Sequence, residues 1–150
     1  MDTLELKTFL EGDVYTRKYF MGVYPLDGLP RRKLKSLPAI VVFNSEPSTS
    51  PGMHWCCMYI KENGVLQFFD SYGMEPKFYG KHILSFIKRN SVSIEYSNLR
   101  VQEYNSVQCG KFVLFFAFWR SRSVTMQRIV NILSKNGDET VKMFYEKEMM

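Results

Sequence analysis

The chain has no long apolar run, since its most apolar stretch, Phe112 to Trp119, covers only eight residues. A membrane-spanning helix needs about 20 such residues, so no such helix is expected. The N-terminus begins Met-Asp-Thr-Leu-Glu and lacks the basic and then apolar pattern of a secretory signal. These two absences predict a soluble, intracellular protein without membrane contact.

Cysteine is scarce, with three residues among 150. Cys56 and Cys57 are adjacent and Cys109 stands alone, an odd number without zinc-ligand spacing. The pattern predicts neither a disulfide framework nor a metal site. Charge is also limited, because charged residues make up 23% of the chain and apolar residues 45%. That balance excludes a disordered chain and favours one globular domain over residues 1–150.

The net charge of +5 is spread along the chain rather than concentrated in one segment. Its densest cluster is Arg31-Arg32-Lys33. Such a cluster suits non-specific binding of nucleic acid, and it is equally typical of a solvated surface. Both interpretations stay open from the sequence.

Proline is absent after position 76, since all six prolines lie between positions 25 and 76. Loops are therefore expected early and long helices late. The predicted elements are a helix at 4–10, a loop at 22–38, strands at 39–43, 54–60 and 65–69, a helix at 78–88, weak strands within 91–101, and helices at 109–119, 124–134 and 139–146. Strands and helices largely segregated in sequence indicate the α+β class, a small sheet flanked by helices.

Cys109 begins the helix that is apolar on nearly every face, and it is therefore a candidate nucleophile. The free N–H groups and dipole of a helix N-terminus favour a thiolate. Gly110 follows and leaves room for a substrate backbone to approach. A buried, inert thiol is the alternative interpretation.

Three polar residues suit the remaining roles of a thiol hydrolase. His54 opens a strand after a turn, at an edge of the sheet, where a general base is commonly placed. Asp70 ends the next strand and is expected to accept a hydrogen bond from Nδ1 of His54. Gln102 supplies an amide donor for an oxyanion hole, beside the Cys109 N–H.

The order of these residues resembles the adenovirus-type (adenain-like) cysteine endopeptidases, with the SUMO-specific proteases as more distant relatives. The shared pattern is His-Trp at 54–55, Phe-Phe-Asp-Ser-Tyr-Gly at 68–73, and Gln102 seven residues before Cys109-Gly110. The resemblance implies a papain-like α+β fold, with Cys109 as nucleophile, His54 as base and acid, Asp70 as its partner and Gln102 as oxyanion donor. It also implies that Trp55 and Gly110 line the substrate cleft.

The same resemblance implies cleavage of viral capsid or core precursors near glycine, in the virion and host nucleus, by a monomer. It implies that the chemistry needs no cofactor. It also implies that the enzyme is stimulated by a viral peptide or by DNA, which would bind at Arg31, Arg32 and Lys33. Asp70 stands where the adenoviral enzymes have Glu and the SUMO-protease branch has Asp. Ser91 stands where the adenoviral enzymes carry the cysteine that captures their activating peptide, which argues against covalent activation.

Three hypotheses follow. The first is a viral or virus-like-element cysteine endopeptidase. The second keeps the chemistry and makes the protein an isopeptidase of ubiquitin-like modifiers. The third is a non-catalytic nucleic-acid-binding virion scaffold.

The triad also predicts the register of the hairpin formed by strands 54–60 and 65–69. A two-residue Asn63-Gly64 turn is the strongest local signal, yet it places Asp70 on the sheet face away from His54. A three-residue loop with left-handed Gly64 pairs Cys56 with Asp70 and brings Asp70 to the face of His54. An odd-length loop or a bulge is therefore expected, and not the simple Asn-Gly turn.

Overall fold

The computed structural model describes residues 1–45 and 54–149, which form one five-stranded sheet and five α-helices. The turn predicted around Pro51 and Gly52 lies outside these residues. In chain order the elements are α1 (Thr3–Gly12), β1 (Phe20–Tyr24), β2 (Ala39–Asn44), β3 (Trp55–Ile60), β4 (Val65–Phe69), α2 (Lys81–Asn90), β5 (Ser93–Tyr96), α3 (Cys109–Arg120), α4 (Met126–Leu133) and α5 (Gly137–Glu148).

The strands lie in the sheet in sequence order, β1 to β5. The two edge strands run parallel to their neighbours, and the inner pairs β2–β3 and β3–β4 are antiparallel. Every residue of β2 and β3 is buried, as expected for continuous apolar runs covered on both faces. β3 is the third of five strands and therefore the central one. A residue that immediately precedes β3 lies at the middle of one end of the sheet.

Helices cover both faces of the sheet and divide the core in two. On one face α2 packs Ile83, Phe86 and Ile87 against strand residues that include Cys56. On the other face α3 packs against a set that includes Cys57, and helices α1, α4 and α5 contact α3 in turn. The α+β arrangement predicted from the sequence is the one observed.

Helix α3 is the buried central helix that its composition predicts. The ring of Phe116 stacks on Phe69 of β4 with centroids 4.6 Å apart. Near its C-terminus, Arg122 binds the carboxylate of Asp13 through two hydrogen bonds of 2.7 and 2.8 Å, which join α3 to the end of α1. The helix that begins at Cys109 is thus fixed along its whole length.

Three local expectations were wrong. The first residues of the loop predicted at 22–38 belong instead to β1, because Gly22, Val23 and Tyr24 pair with β2. The helix predicted at 78–88 is split, because Pro76–Tyr79 forms a 3₁₀ turn and α2 begins after Gly80, whose φ is +93°. The helix predicted at 139–146 begins earlier, at Gly137, and Asn136 precedes it in the left-handed conformation.

The β3–β4 hairpin has the register that the triad requires. Cys57 pairs with Phe69 and Ile60 with Leu66, so the same register, continued by one residue, places Asp70 opposite Cys56. The connection is a three-residue loop in which Gly64 has φ +88°. The prediction of an odd-length loop is confirmed, and Asp70 shares a sheet face with His54.

Within the described residues no helix has both the length and the apolar character needed to cross a bilayer.

Candidate active site

His54 and Asp70 form a buried hydrogen-bonded pair at the end of the sheet. His54 immediately precedes β3, the central strand, rather than lying at a sheet edge as expected, and Asp70 immediately follows β4. His54 Nε2 lies 2.6 Å from Asp70 Oδ1. The sequence expectation that Nδ1 meets Asp70 was wrong, because the ring of His54 turns its Nε2 toward the carboxylate.

Two tyrosines hold this pair in place. Tyr79, at the end of the 3₁₀ turn, donates its hydroxyl to Asp70 Oδ2 at 2.5 Å. The backbone N–H of Tyr72 donates to Asp70 Oδ1 at 2.9 Å, and the Tyr72 ring stacks on the imidazole with centroids 4.6 Å apart. The carboxylate thus accepts hydrogen bonds on both oxygens, so its direction toward His54 is fixed.

Cys109 is the first residue of α3 and is 9% exposed. Burial alone raises the pKa of its thiol, but hydrogen bonds from His54 and from the backbone N–H groups of Trp55 and Gly110 outweigh it, so the pKa is lowered. For His54 burial acts to lower the pKa, and Asp70 together with Cys109 raises it. The two opposite shifts favour a thiolate–imidazolium pair.

The free nitrogen of the imidazole supports this pairing. His54 is 8% exposed, and its Nδ1 is buried without a conventional hydrogen bond among the described residues. Since Asp70 occupies Nε2, Nδ1 is the nitrogen left to exchange a proton with Cys109. The sequence named the three residues, but the tautomer came from the structure.

Gln102 is 1% exposed and is fixed at both ends of its amide. Ser71, next to Asp70, donates its hydroxyl to Gln102 Oε1 at 2.5 Å. Gln102 Nε2 donates to the carbonyl of Ser106 at 3.0 Å, in the segment that leads to Cys109. An amide nitrogen carries two hydrogens, so one remains for a second acceptor, as an oxyanion donor requires.

The two residues expected to line a cleft have closer neighbours. The Trp55 side chain is packed in the core, 8% exposed, and its indole N–H donates to the carbonyl of Met1 at 3.1 Å. A Cβ placed on Gly110 would lie 3.0 Å from Met1 Cβ and Sδ. The space that Gly110 leaves is therefore filled by Met1, and Trp55 reaches the Cys109 thiol through its backbone N–H rather than its ring.

A cavity of about 450 Å³ opens beside His54. Its walls are mainly apolar and aromatic, with one cation, Arg100, whose guanidinium lies 3.5 Å from the centroid of the Tyr104 ring. The lining residues are Ser45, His54, Tyr72, Met74, Phe78, Tyr79, Arg100 and Tyr104. The His54–Asp70 pair is thus accessible from solvent through His54.

Some residues of the site had no clear local signal in the sequence. Tyr79 contacts Asp70 only because the chain folds back after β4, whereas Ser71 and Tyr72 belong to the motif that carries the resemblance. The basic residues Arg31, Arg32 and Lys33 are exposed and lie in the connection between β1 and β2.

No family model and no curated protein sequence matches the chain. Among solved structures, the ASFV pS273R protease is similar in two crystal structures. One has a TM-score of 0.56 at 14% identity, covering 83% of this chain and 60% of that one. The other has a TM-score of 0.47 at 21% identity, covering 61% and 38%. The central domain of the uncharacterized Lpg1148 protein from Legionella pneumophila has a TM-score of 0.51 at 14% identity, covering 86% and 84%.

The fold is a cysteine protease fold. It shares with the ASFV pS273R protease a mixed α+β arrangement, here a five-stranded sheet flanked by helices, and proteases of this fold need no cofactor for catalysis. The chain spans less than two thirds of the ASFV protease.

Proposed function

We propose that the protein is a cysteine endopeptidase of a virus or virus-like element that cleaves capsid or core precursors near glycine. The observation that carries the proposal is the His54 ring, held by Asp70 through Nε2 with its buried Nδ1 left for Cys109. A structural role for the pair does not require the thiol at a helix N-terminus beside it. The fold shared with the ASFV pS273R protease supports the viral assignment.

The proposed mechanism uses four groups of the chain. The Cys109 thiolate attacks the scissile carbonyl carbon and forms the C–S bond, while the Cys109 N–H and Gln102 Nε2 hold the oxyanion. The tetrahedral intermediate collapses, the C–N bond breaks, and His54 Nδ1–H protonates the leaving amine. Water, deprotonated by His54, then hydrolyses the thioester and restores the thiol pair.

Thiol labelling and peptide cleavage test the proposal together. Cys56 and Cys57 are fully buried and burial raises the pKa of both thiols, so iodoacetamide is expected to alkylate Cys109 far faster at pH 6. Cys109→Ala is expected to abolish cleavage of precursor peptides and keep the fold, with Cys57→Ala as the matched control. Cleavage by Cys109→Ala, or equal labelling of the three thiols, would refute it and favour the scaffold hypothesis.

A second candidate substrate keeps the same chemistry. Asp at position 70 and the SUMO-protease type of fold favour an isopeptidase of ubiquitin-like modifiers. Precursor peptides with glycine-containing sites, assayed beside ubiquitin-like C-terminal fusions, separate the two. Preferential cleavage of the fusions would replace the endopeptidase assignment and leave the roles of the four residues intact.

DNA is the proposed non-specific partner, through the exposed Arg31, Arg32 and Lys33. The enzyme is proposed to act as a monomer in the virion and host nucleus. Contacts of this kind are made to phosphates, so stimulation by DNA is expected to fall steeply as the salt concentration rises and to be independent of base sequence. Stimulation that persists unchanged between 50 and 200 mM salt, a range over which binding through three phosphate contacts weakens by about 40-fold, would contradict this role.

A further inference from the structure

One buried thiol next to the catalytic pair has no place in the proposed mechanism. Cys56 is fully buried in β3, two residues after His54 and therefore on the same face of the sheet. Its neighbour Cys57 points to the opposite face, toward α3. The two adjacent thiols differ in their surroundings alone, which makes Cys57 a natural control for Cys56.

Cys56 completes a compact set of metal-ligating atoms. One ligand atom each from His54, Cys56 and Asp70 lies within 4.8 Å of the others, and all three residues are buried. The Tyr79 hydroxyl, which bonds Asp70, also contacts the Cys56 thiol and places a fourth donor atom at the cluster. Among the residues that the structure describes, this is the group with metal-binding composition.

We propose that His54, Cys56 and Asp70 form an inhibitory zinc site behind the catalytic imidazole. Nitrogen, sulfur and carboxylate oxygen are the ligands that Zn²⁺ prefers. Bonds of about 2.0–2.3 Å in a tetrahedral site separate ligand atoms by roughly 3.3–3.7 Å. Atoms now at most 4.8 Å apart, and 2.6 Å apart for His54 and Asp70, reach these spacings with movements of about 1 Å or less.

The cluster also has a path of entry. His54 and Tyr79 both line the cavity that opens to solvent beside the active site. Rotation of either ring exposes the atoms beneath it, so zinc reaches the site without unfolding the sheet. Binding releases the Cys56 thiol proton and the proton that His54 shares with Asp70.

Zinc in this position stops the proposed reaction without touching Cys109. With Nε2 bound to the metal, the imidazole holds its proton on Nδ1 and has no lone pair for the Cys109 proton. The imidazolium–thiolate pair therefore does not form. This inhibitory effect rests on the proposed protease function, whereas zinc binding itself does not.

Zinc binding to the inactive full chain tests the site independently of activity. Cys109→Ala protein, titrated with Zn²⁺ against a chromophoric chelator, is expected to bind one zinc ion. Adding Cys56→Ala is expected to weaken binding more than about tenfold, because the loss even of a residue that only orients a ligand costs about 10–100-fold, whereas adding Cys57→Ala leaves it unchanged. Cobalt binding to the Cys109→Ala protein is expected to show a thiolate charge-transfer band, which the Cys56→Ser variant lacks.

Each opposite result overturns the proposal. In the first, the wild-type chain binds zinc but the Cys109→Ala protein does not. In the second, Cys56→Ala and Cys57→Ala lose equal zinc affinity. In the third, the thiolate band of the Cys109→Ala protein survives the addition of Cys56→Ser. Circular dichroism of each variant checks the fold, and Cys56→Ser replaces Cys56→Ala if that variant unfolds. Zinc binding through Cys56 in a protein that cleaves no peptide even after a chelator has removed the zinc would refute the protease function and leave the metal site standing.

Discussion

Replacing Asp70 with asparagine removes the negative charge behind His54 and keeps almost the same side-chain shape. The amide carbonyl of the variant side chain still accepts the hydrogen bonds that Oδ1 takes from His54 and from the Tyr72 N–H. Its NH₂ group meets the Tyr79 hydroxyl, which rotates from donor to acceptor. The perturbation is therefore electrostatic, and the imidazole keeps its orientation and its tautomer.

The magnitude follows from the effect of an adjacent carboxylate on a buried imidazole. Such a charge shifts a pKa by about 1–3 units, and each unit is about 1.36 kcal/mol. The Asp70→Asn change is expected to lower the pKa of His54 and to reduce the ratio of the thiolate–imidazolium pair to the neutral pair by about 10- to 10³-fold. The alkaline limb of the kcat/KM profile, where His54 loses its proton, moves to lower pH by the same 1–3 units.

Peptide cleavage and iodoacetamide labelling, both measured from pH 5 to 10, check this expectation. Glu62→Gln, an exposed carboxylate in the hairpin loop, changes the net charge equally and is expected to leave both profiles unaltered. A loss of less than about threefold with an unshifted alkaline limb would remove Asp70 from the catalytic assignment.

Three further substitutions test the surroundings of the site. Gln102→Ala is expected to lose about 10²–10³ in kcat through one missing oxyanion donor; a loss below about threefold would mean that another group serves. Tyr79→Phe is expected to lower kcat about tenfold and to move the alkaline limb upward, since Asp70 then concentrates its charge on the imidazole; a downward shift would refute that reasoning. Asp13→Asn tests the ion pair with Arg122. Burial raises the pKa of Asp13 but the Arg122 hydrogen bonds lower it to about 2 from 3.8, so the pair stabilises the fold above pH 3.8 and loses this effect as pH falls through 2. Urea unfolding is expected to show a deficit of about 1–3 kcal/mol at pH 7 that vanishes near pH 2; an equal deficit at both would contradict it.

The sequence by itself determined the class of fold and the candidate residues. Continuous apolar runs become β2 and β3, and a stretch apolar on every side becomes α3 with Cys109 at its start. These elements were predictable because the spacing of apolar side chains along the chain indicates which faces of a strand or helix are buried. The hairpin register was also predictable, since the face on which Asp70 must lie excludes the two-residue turn. β1 was not predictable, because an edge strand with Gly22 forms only through its pairing with β2.

The tertiary structure decided everything that depends on residues distant in the chain. The use of Nε2 rather than Nδ1 by Asp70 depends on how the ring of His54 turns toward the carboxylate. The contacts of Tyr79 with Asp70 and of Ser71 with Gln102 depend on the path of the turn after β4. The covering of Gly110 by Met1 depends on how α1 packs against α3. Hydrogen bonds and packing of this kind are set by three-dimensional proximity, for which the spacing of residues along the chain contains no direct signal.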